Sequence, residues 1–180
     1  MRTAATKKST WQTPPRLLDA IRETGVRIGF DPATASDNPT DARFFASPLP
    51  PLQSGEGWLG RDGLEVAWPS TEPLFLNPPW AKGMPIEPWI TRTCDWLSET
   101  RARLGRAAPD ATLVVPDALN TRWAHALLDQ RLRVFAPSAR VSYVDPDTGA
   151  LEMGCPFNTL VFARWPSARR RAFRYPGRWL

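Results

Sequence analysis

The sequence predicts one α/β domain, a sheet with helices on its faces, closed by an antiparallel hairpin near the C-terminus. Three observations lead there. Helical and extended patterns alternate along the chain from Pro15 to Phe162. Ala111-Thr-Leu-Val-Val115 is nearly continuous in apolar residues, the pattern of a strand covered on both faces. Two polar motifs, Asp31-Pro32 and Asn77-Pro78-Pro79-Trp80, fall where predicted strands end. In folds of this class, ligands bind beyond the carboxyl ends of the strands.

Residues 15–24 place Leu17, Leu18 and Ile21 on one helical face, with proline at the start and Gly25 just past the end. Val26-Arg-Ile-Gly-Phe30 alternates and stops at Asp31-Pro32, which predicts a short strand. Residues 33–70 are rich in Pro, Gly, Ser and Asp and predict a long irregular stretch of the kind that serves function. Leu74-Phe-Leu76 predicts a strand running into Asn77. Residues 86–104 predict a helix with Ile86, Trp89, Ile90, Trp96, Leu97 and Leu104 as apolar positions, and Thr121 to Leu132 predicts another. Val134-Phe135, Arg140 to Val144 and Asn158 to Phe162 predict strands. The last two are expected to pair antiparallel around the Asp145-Pro-Asp-Thr-Gly149 turn.

A chain of 180 residues can build one core without metal or disulfide staples. Its composition, 42% hydrophobic and 23% charged, is that of a soluble globular protein. No apolar run approaches the roughly 20 residues of a membrane span, and Met1 to Lys8 lacks the apolar core of a signal peptide. Cys94 and Cys155 stand far apart, which argues against a zinc ribbon or a disulfide scaffold. The single histidine, His125, excludes a multi-histidine metal site and reads as a helix-surface or packing residue with no base role. The expectation is therefore no metal and no membrane.

The net charge of +5 suggests an anionic partner. Its distribution is uneven: residues 1–16 carry four bases and no acid, and residues 164–180 carry six arginines and no acid. The stretch between them holds 13 bases and all 18 acids, a net of −5. Three regions follow: a basic tail over 1–10, a domain over 11–163, and an arginine- and aromatic-rich tail over 164–180. The tails serve either solubility or phosphate contact. In the second reading Arg140, Arg169, Arg170, Arg171 and Arg174 bind DNA, with the neighbouring aromatics stacking on bases. In the first, those aromatics fold back onto the core.

Asn77-Pro78-Pro79-Trp80 is the most informative stretch. Proline fixes φ and lacks an N–H, so carbonyls beside it have no local donor. The Asn77 side-chain oxygen and the Pro78 carbonyl can then both accept from one amino group, while Trp80 stacks on a planar base. The plainer reading is a Pro-Pro loop at a strand end with Trp80 in the core. Asp31 likewise reads either as a turn-initiating residue before Pro32 or as a carboxylate for a cationic ligand. Thr13-Pro14 reads as a helix start, threonine as cap and proline in the first turn.

The Asn77-Pro-Pro-Trp80 stretch resembles the (N/D/S)PP(Y/F/W) motif of amino-group methyltransferases that use S-adenosylmethionine (SAM). The flanking residues narrow the resemblance to the phage-type DNA N6-adenine methyltransferase (Dam) family. They are Trp11-x-Thr13-Pro14, Phe30-Asp31-x-Ala33 with Asn38, Asp62-Gly63-Leu64-x-x-x-Trp68, Pro116, Thr121, Trp123, Arg140-Val141 and Pro156-Phe157, about 150 residues in order. The resemblance implies a compact, Rossmann-like SAM-dependent methyltransferase fold and an adenine-specific DNA methyltransferase activity. It places Asn77, Pro78, Pro79 and Trp80 at the catalytic centre. It places Thr13, Pro14, Asp31, Pro32 and Ala33 beside the cofactor, with Asp31 on the ammonium group. It also implies DNA as partner and the cytoplasm of a bacterial or phage-infected cell as location. The Gly-rich loop common after the first strand of methyltransferases is replaced by Ala33, Thr34 and Ala35, and no acid for the cofactor ribose is evident. Other readings are methylation of an RNA base or a protein glutamine, or a DNA- or SAM-binding protein without catalysis.

Overall fold

The structure, a computed structural model, describes residues 11–51, 55–79, 84–145, 148–152 and 158–180. The chain begins with helix α1 (Pro15–Glu23). Short strands β1 (Phe30–Asp31), β2 (Phe44–Ala46), β3 (Trp58–Gly60) and β4 (Leu74–Leu76) follow. Helix α2 (Glu87–Leu104), strand β5 (Ala111–Pro116), helix α3 (Arg122–Asp129) and strand β6 (Arg133–Pro137) come next. The chain ends with β7 (Tyr143–Val144), β8 (Leu151–Glu152), β9 (Thr159–Arg164), helix α4 (Ser167–Ala172) and β10 (Gly177–Trp179).

Each helix has a local cause. Pro15 starts α1, where its missing N–H costs nothing. Gly25, at φ 79°, stops it, beside the Thr24 hydroxyl bonded to the Ile21 carbonyl at 2.6 Å. Thr121 caps α3 by accepting the Ala124 N–H at 3.3 Å. That helix ends at Asp129, short of the expected Leu132, because Arg131 turns to φ 60°.

Eight strands form one mixed sheet in the order β10-β6-β9-β5-β4-β1-β2-β3. Strands β3, β2, β1, β4 and β5 are parallel, and β9 lies antiparallel between β5 and β6. Apart from β9 and the edge strand β10, the order is 3-2-1-4-5-6 of a doubly wound nucleotide-binding sheet, compatible with a Rossmann-like fold. Side chains alternate across it. Leu74, Leu76, Leu113 and Val115 pack with α2 and α3 in one core. Phe75, Val114 and Val161 pack with α1 and the C-terminal aromatics in the other.

Other sequence expectations change as well. The strand expected over 26–30 pairs only at Phe30–Asp31. The 33–70 stretch is not wholly irregular, since it contributes β2 and β3 to the sheet. The C-terminal hairpin exists, but β7 pairs with β8, not with the strand at 158–162. That last segment, β9, is buried on both faces from Thr159 to Ala163. A two-stranded ribbon cannot cover both faces, so β9 belongs inside the large sheet.

The segment 164–180 is also part of the domain. Strand β10 pairs with β6. Trp165 and Phe173 are buried, and with Trp179 they form edge-to-face contacts on Phe135 and one another. The Trp165 indole N–H donates to the Thr112 hydroxyl at 2.8 Å. Burying two aromatic rings and packing Tyr175 and Trp179 against them outweighs keeping six arginines in a free tail, because most of the guanidinium heads still reach water. The basic segment 1–10 lies outside the described residues. Among the described residues no helix is long and apolar enough to cross a membrane.

Candidate active site

The sheet changes winding direction between β1 and β4, and the crevice at such a switch point is where doubly wound folds bind ligands. A cavity of about 640 Å³ opens there. Asp31 at the end of β1 and Asn77 after β4 both line it, as do Thr13, Pro32, Ala33 and Pro79. Strands β1 and β4 are hydrogen-bonded neighbours, so the carboxylate and the amide stand on adjacent strand ends. The structure thus brings six of the nine expected cofactor and catalytic residues to one cavity; Pro14 and Pro78 are not in its lining. Pro78 is buried at the end of β4, and Trp80 lies outside the described residues.

Asn77 is oriented by its surroundings. Its Nδ2 donates to the Trp11 carbonyl at 3.0 Å, across 66 residues of sequence. A carbonyl accepts only from the NH2 end of the amide, which leaves Oδ1 as an acceptor for a ligand. The Trp11 segment is itself fixed. Gln12 and Val144 exchange two backbone hydrogen bonds of 3.0 Å. The Trp11 ring stacks on Tyr143 with centroids 6.1 Å apart, and Gln12 Nε2 reaches Asp37 at 3.3 Å.

Asp31 is 3% exposed. Its Oδ1 accepts the Ala33 N–H at 3.0 Å and its Oδ2 the Thr40 hydroxyl at 3.0 Å. Burial without a cationic partner pushes its pKa from 3.8 up to about 7, although those two donors and the Thr34 side chain oppose the rise. Two threonines share the cavity lining with it. Thr13 is 5% and Thr34 6% exposed; the Thr34 hydroxyl acts on the Asp31 carboxylate, lowering its pKa, whereas the Thr13 Oγ1 has no hydrogen-bond partner among the described residues. Thr13 is not the cap of α1: Pro14 holds that position, and the Pro14 carbonyl receives the Leu17 and Leu18 N–H groups. The threonine hydroxyl, at a wall of the cavity, is left for something else. Buried donors without a partner are rare in folded proteins, and this one lies in the cavity lining.

The Asp62-Gly63-Leu64 turn supports the site from behind. A Cβ on Gly63 would lie 1.7 Å from the Pro32 carbonyl oxygen, so only glycine allows that approach. Asp62 Oδ1 accepts the Leu64 N–H at 2.8 Å, and the Trp68 indole donates to the Gly63 carbonyl at 2.7 Å. Gly63→Ala is expected to cost about 1–3 kcal/mol and to displace the Asp31-Pro32 turn. A thermal melt at the wild-type temperature would contradict this packing role.

The arginines expected at DNA divide by location. Antiparallel pairing sets Arg164 beside Ala111 and Thr159 beside Pro116, so the start of the C-terminal segment is at the amino end of β5. The cavity is at the other end, about 20 Å away for six residues of strand. Arg169 pairs with Asp110 there, Arg170 donates to the Trp165 carbonyl, and Arg174 donates to the Arg171 carbonyl. Arg169 to Arg174 are therefore not brought to the cavity. Arg140 is exposed and follows β6 on the cavity end of the sheet. Arg61, after β3, is the one cationic side chain lining the cavity among the described residues.

Sequence reasoning did not single out Thr34, Thr40, Gln12, Asp37 or Arg61. The polar density of the 33–70 stretch was the only signal for most of them. Among the described residues no group of three or more His, Cys, Asp or Glu side chains is placed to hold a metal ion. The chain matches no protein-family model, and no curated protein matches it.

Proposed function

We propose that the protein is a SAM-dependent methyltransferase that methylates the N6 amino group of adenine in DNA. One observation carries the reading: an amide oriented by a backbone carbonyl, and a buried carboxylate, line one cavity together with the partnerless Thr13 hydroxyl, at the switch point of a doubly wound sheet. The second half of that set fits an α-amino-acid head. Asp31 suits an ammonium group, and Thr13 can donate to a carboxylate. The cavity lining also holds Asp31, Asp37 and Asp62 against Arg61. An acidic cavity favours a ligand of net positive charge, which SAM is. When bound, SAM supplies the methyl group from a sulfonium centre, and the matched residues from Trp11 to Phe157 support this family of reactions over others.

The chain's own residues would then do the following. Asn77 Oδ1 and the Pro78 carbonyl accept the two hydrogens of the adenine amine. Two acceptors draw that nitrogen from planar toward tetrahedral and localise its lone pair, which the ring otherwise delocalises. Positioning and preorganised dipoles supply the rate, and no base is required of His125. The family resemblance gives Trp80 the stacking role. Titration calorimetry is expected to show one SAM per chain, bound more tightly above pH 7 than at pH 6. No binding at either pH would end this reading.

Phosphate contacts are assigned by location to Arg61 and Arg140. Arg61→Glu is expected to weaken DNA binding and lower the dependence of log affinity on log salt by about one counterion. Arg171→Glu is expected to leave both unchanged. The opposite pattern in a fluorescence-anisotropy titration would return the contact to the C-terminal helix.

A further inference from the structure

Thr40 is 4% exposed and touches both the carboxylate at the end of β1 and the loop that follows it. Its Oγ1 lies 3.0 Å from Asp31 Oδ2 and 3.1 Å from Asn38 Oδ1. A threonine hydroxyl has one proton, so it can serve only one of these acceptors at a time. The loop does not let Thr40 move away. Asn38 Nδ2 donates to the Ala42 carbonyl at 2.9 Å, and its Oδ1 accepts the Ala42 N–H at 3.3 Å. Asn38 and Asp41 both take left-handed backbone conformations, φ 45° and 51°, which these residue types tolerate.

We propose that Thr40 is a positioning residue: its single hydroxyl proton, contested by Asp31 and Asn38, sets the charge and orientation of the carboxylate that receives a cationic ligand head. With Asp31 ionised, the hydroxyl donates to Oδ2, and Asn38 keeps the Ala42 N–H. With Asp31 protonated on Oδ2, the acid donates to Thr40, and Thr40 turns its proton to Asn38. Both arrangements leave every one of these buried groups paired, so the carboxyl can change charge without orphaning a neighbour. Burial pushes the Asp31 pKa up to about 7; of the side chains that oppose the rise, Thr40 acts most strongly, at 3.0 Å from Oδ2, and Thr34 adds a smaller effect.

The other ionisable groups around the cavity act elsewhere. Asp37 accepts from Gln12, Asp62 from the Leu64 N–H, and Asp41 pairs with Arg22 at 2.9 Å. Arg61 lines the cavity without an ion pair to Asp31. The ligand's identity comes from the functional reading above, whereas Thr40's effect on the carboxyl does not depend on it.

The test is the carboxyl titration of Asp31 in the ligand-free full chain, followed by carbon NMR of labelled aspartate, alongside SAM affinity against pH. Thr40→Val keeps the shape and removes the hydroxyl. It is expected to raise the Asp31 midpoint by about one to two pH units, and to move the pH at which SAM binding strengthens by the same amount. Thr40→Ser is expected to restore both, and Thr40→Ala reads the same rise without the valine's second methyl. A Thr40→Val or Thr40→Ala midpoint equal to the wild type's overturns the proposal. If no variant and no wild-type protein binds SAM at any pH, the cofactor reading fails, and the carboxyl titration still decides Thr40's role.

Discussion

Asn77→Ala is expected to lower methyl transfer by about 1,000-fold, the scale seen when one preorganised dipole is removed from a reacting centre. SAM affinity should change by less than about threefold, because the amide is held by the Trp11 carbonyl and makes no hydrogen bond to Asp31. Asn77→Asp separates the two ends of the amide. It keeps an acceptor oxygen but replaces the donor that holds the Trp11 carbonyl at 3.0 Å. A carboxylate against a carbonyl repels, so this variant should also lose activity, by about 10- to 100-fold. Rapid-quench transfer assays with bound SAM read both effects. Near-wild-type transfer by Asn77→Ala would remove the amide from the chemistry.

Asp31→Asn is expected to act in opposite directions on stability and binding. In the folded, ligand-free protein burial pushes the Asp31 pKa up to about 7, above the ordinary aspartate value of 3.8. Between those values the folded state holds a proton that the unfolded chain has released. Stability therefore falls as pH rises through that window, and above it the full cost of a buried charge remains. An amide carries no such charge, so the variant should melt higher than the wild type at pH 8 and gain nothing at pH 4. Its SAM affinity should fall by about 100-fold at pH 8, since a charge-assisted hydrogen bond to the ammonium is lost. A bound cation would also draw the wild-type carboxyl down, so binding near pH 6 should release protons. Equal melting of the two proteins at pH 8, or equal affinity, would contradict the role given to Asp31.

Much of the cavity lining was legible because it sits in short contiguous motifs. Asn77-Pro-Pro and Asp31-Pro32 carry their meaning in residue type and in the strand that precedes them. The packing around them was not. Strand β9 has the same apolar pattern whether it closes a small hairpin or enters the sheet, and periodicity cannot choose between those partners. The long 33–70 stretch hid β2 and β3, each three residues long, too short to show alternation. Charge misled in another way. Six arginines over 164–180 read as a tail whose aromatics either stack on bases or fold back onto the core; the second holds, with Trp165 and Phe173 buried and Tyr175 and Trp179 packed against that core. The Thr40 to Asp31 bond depends on a left-handed turn at Asn38, which no local pattern announces.

Nucleoside mass spectrometry tests the central claim most directly. Adenine-unmethylated duplex DNA would be incubated with the protein and SAM, digested, and compared with the same reaction using Asn77→Ala. The account predicts N6-methyladenine with the wild type and none with the variant. Methyl groups on cytosine, RNA or protein but not on adenine, or unmodified DNA from a protein that demonstrably binds SAM, would contradict it.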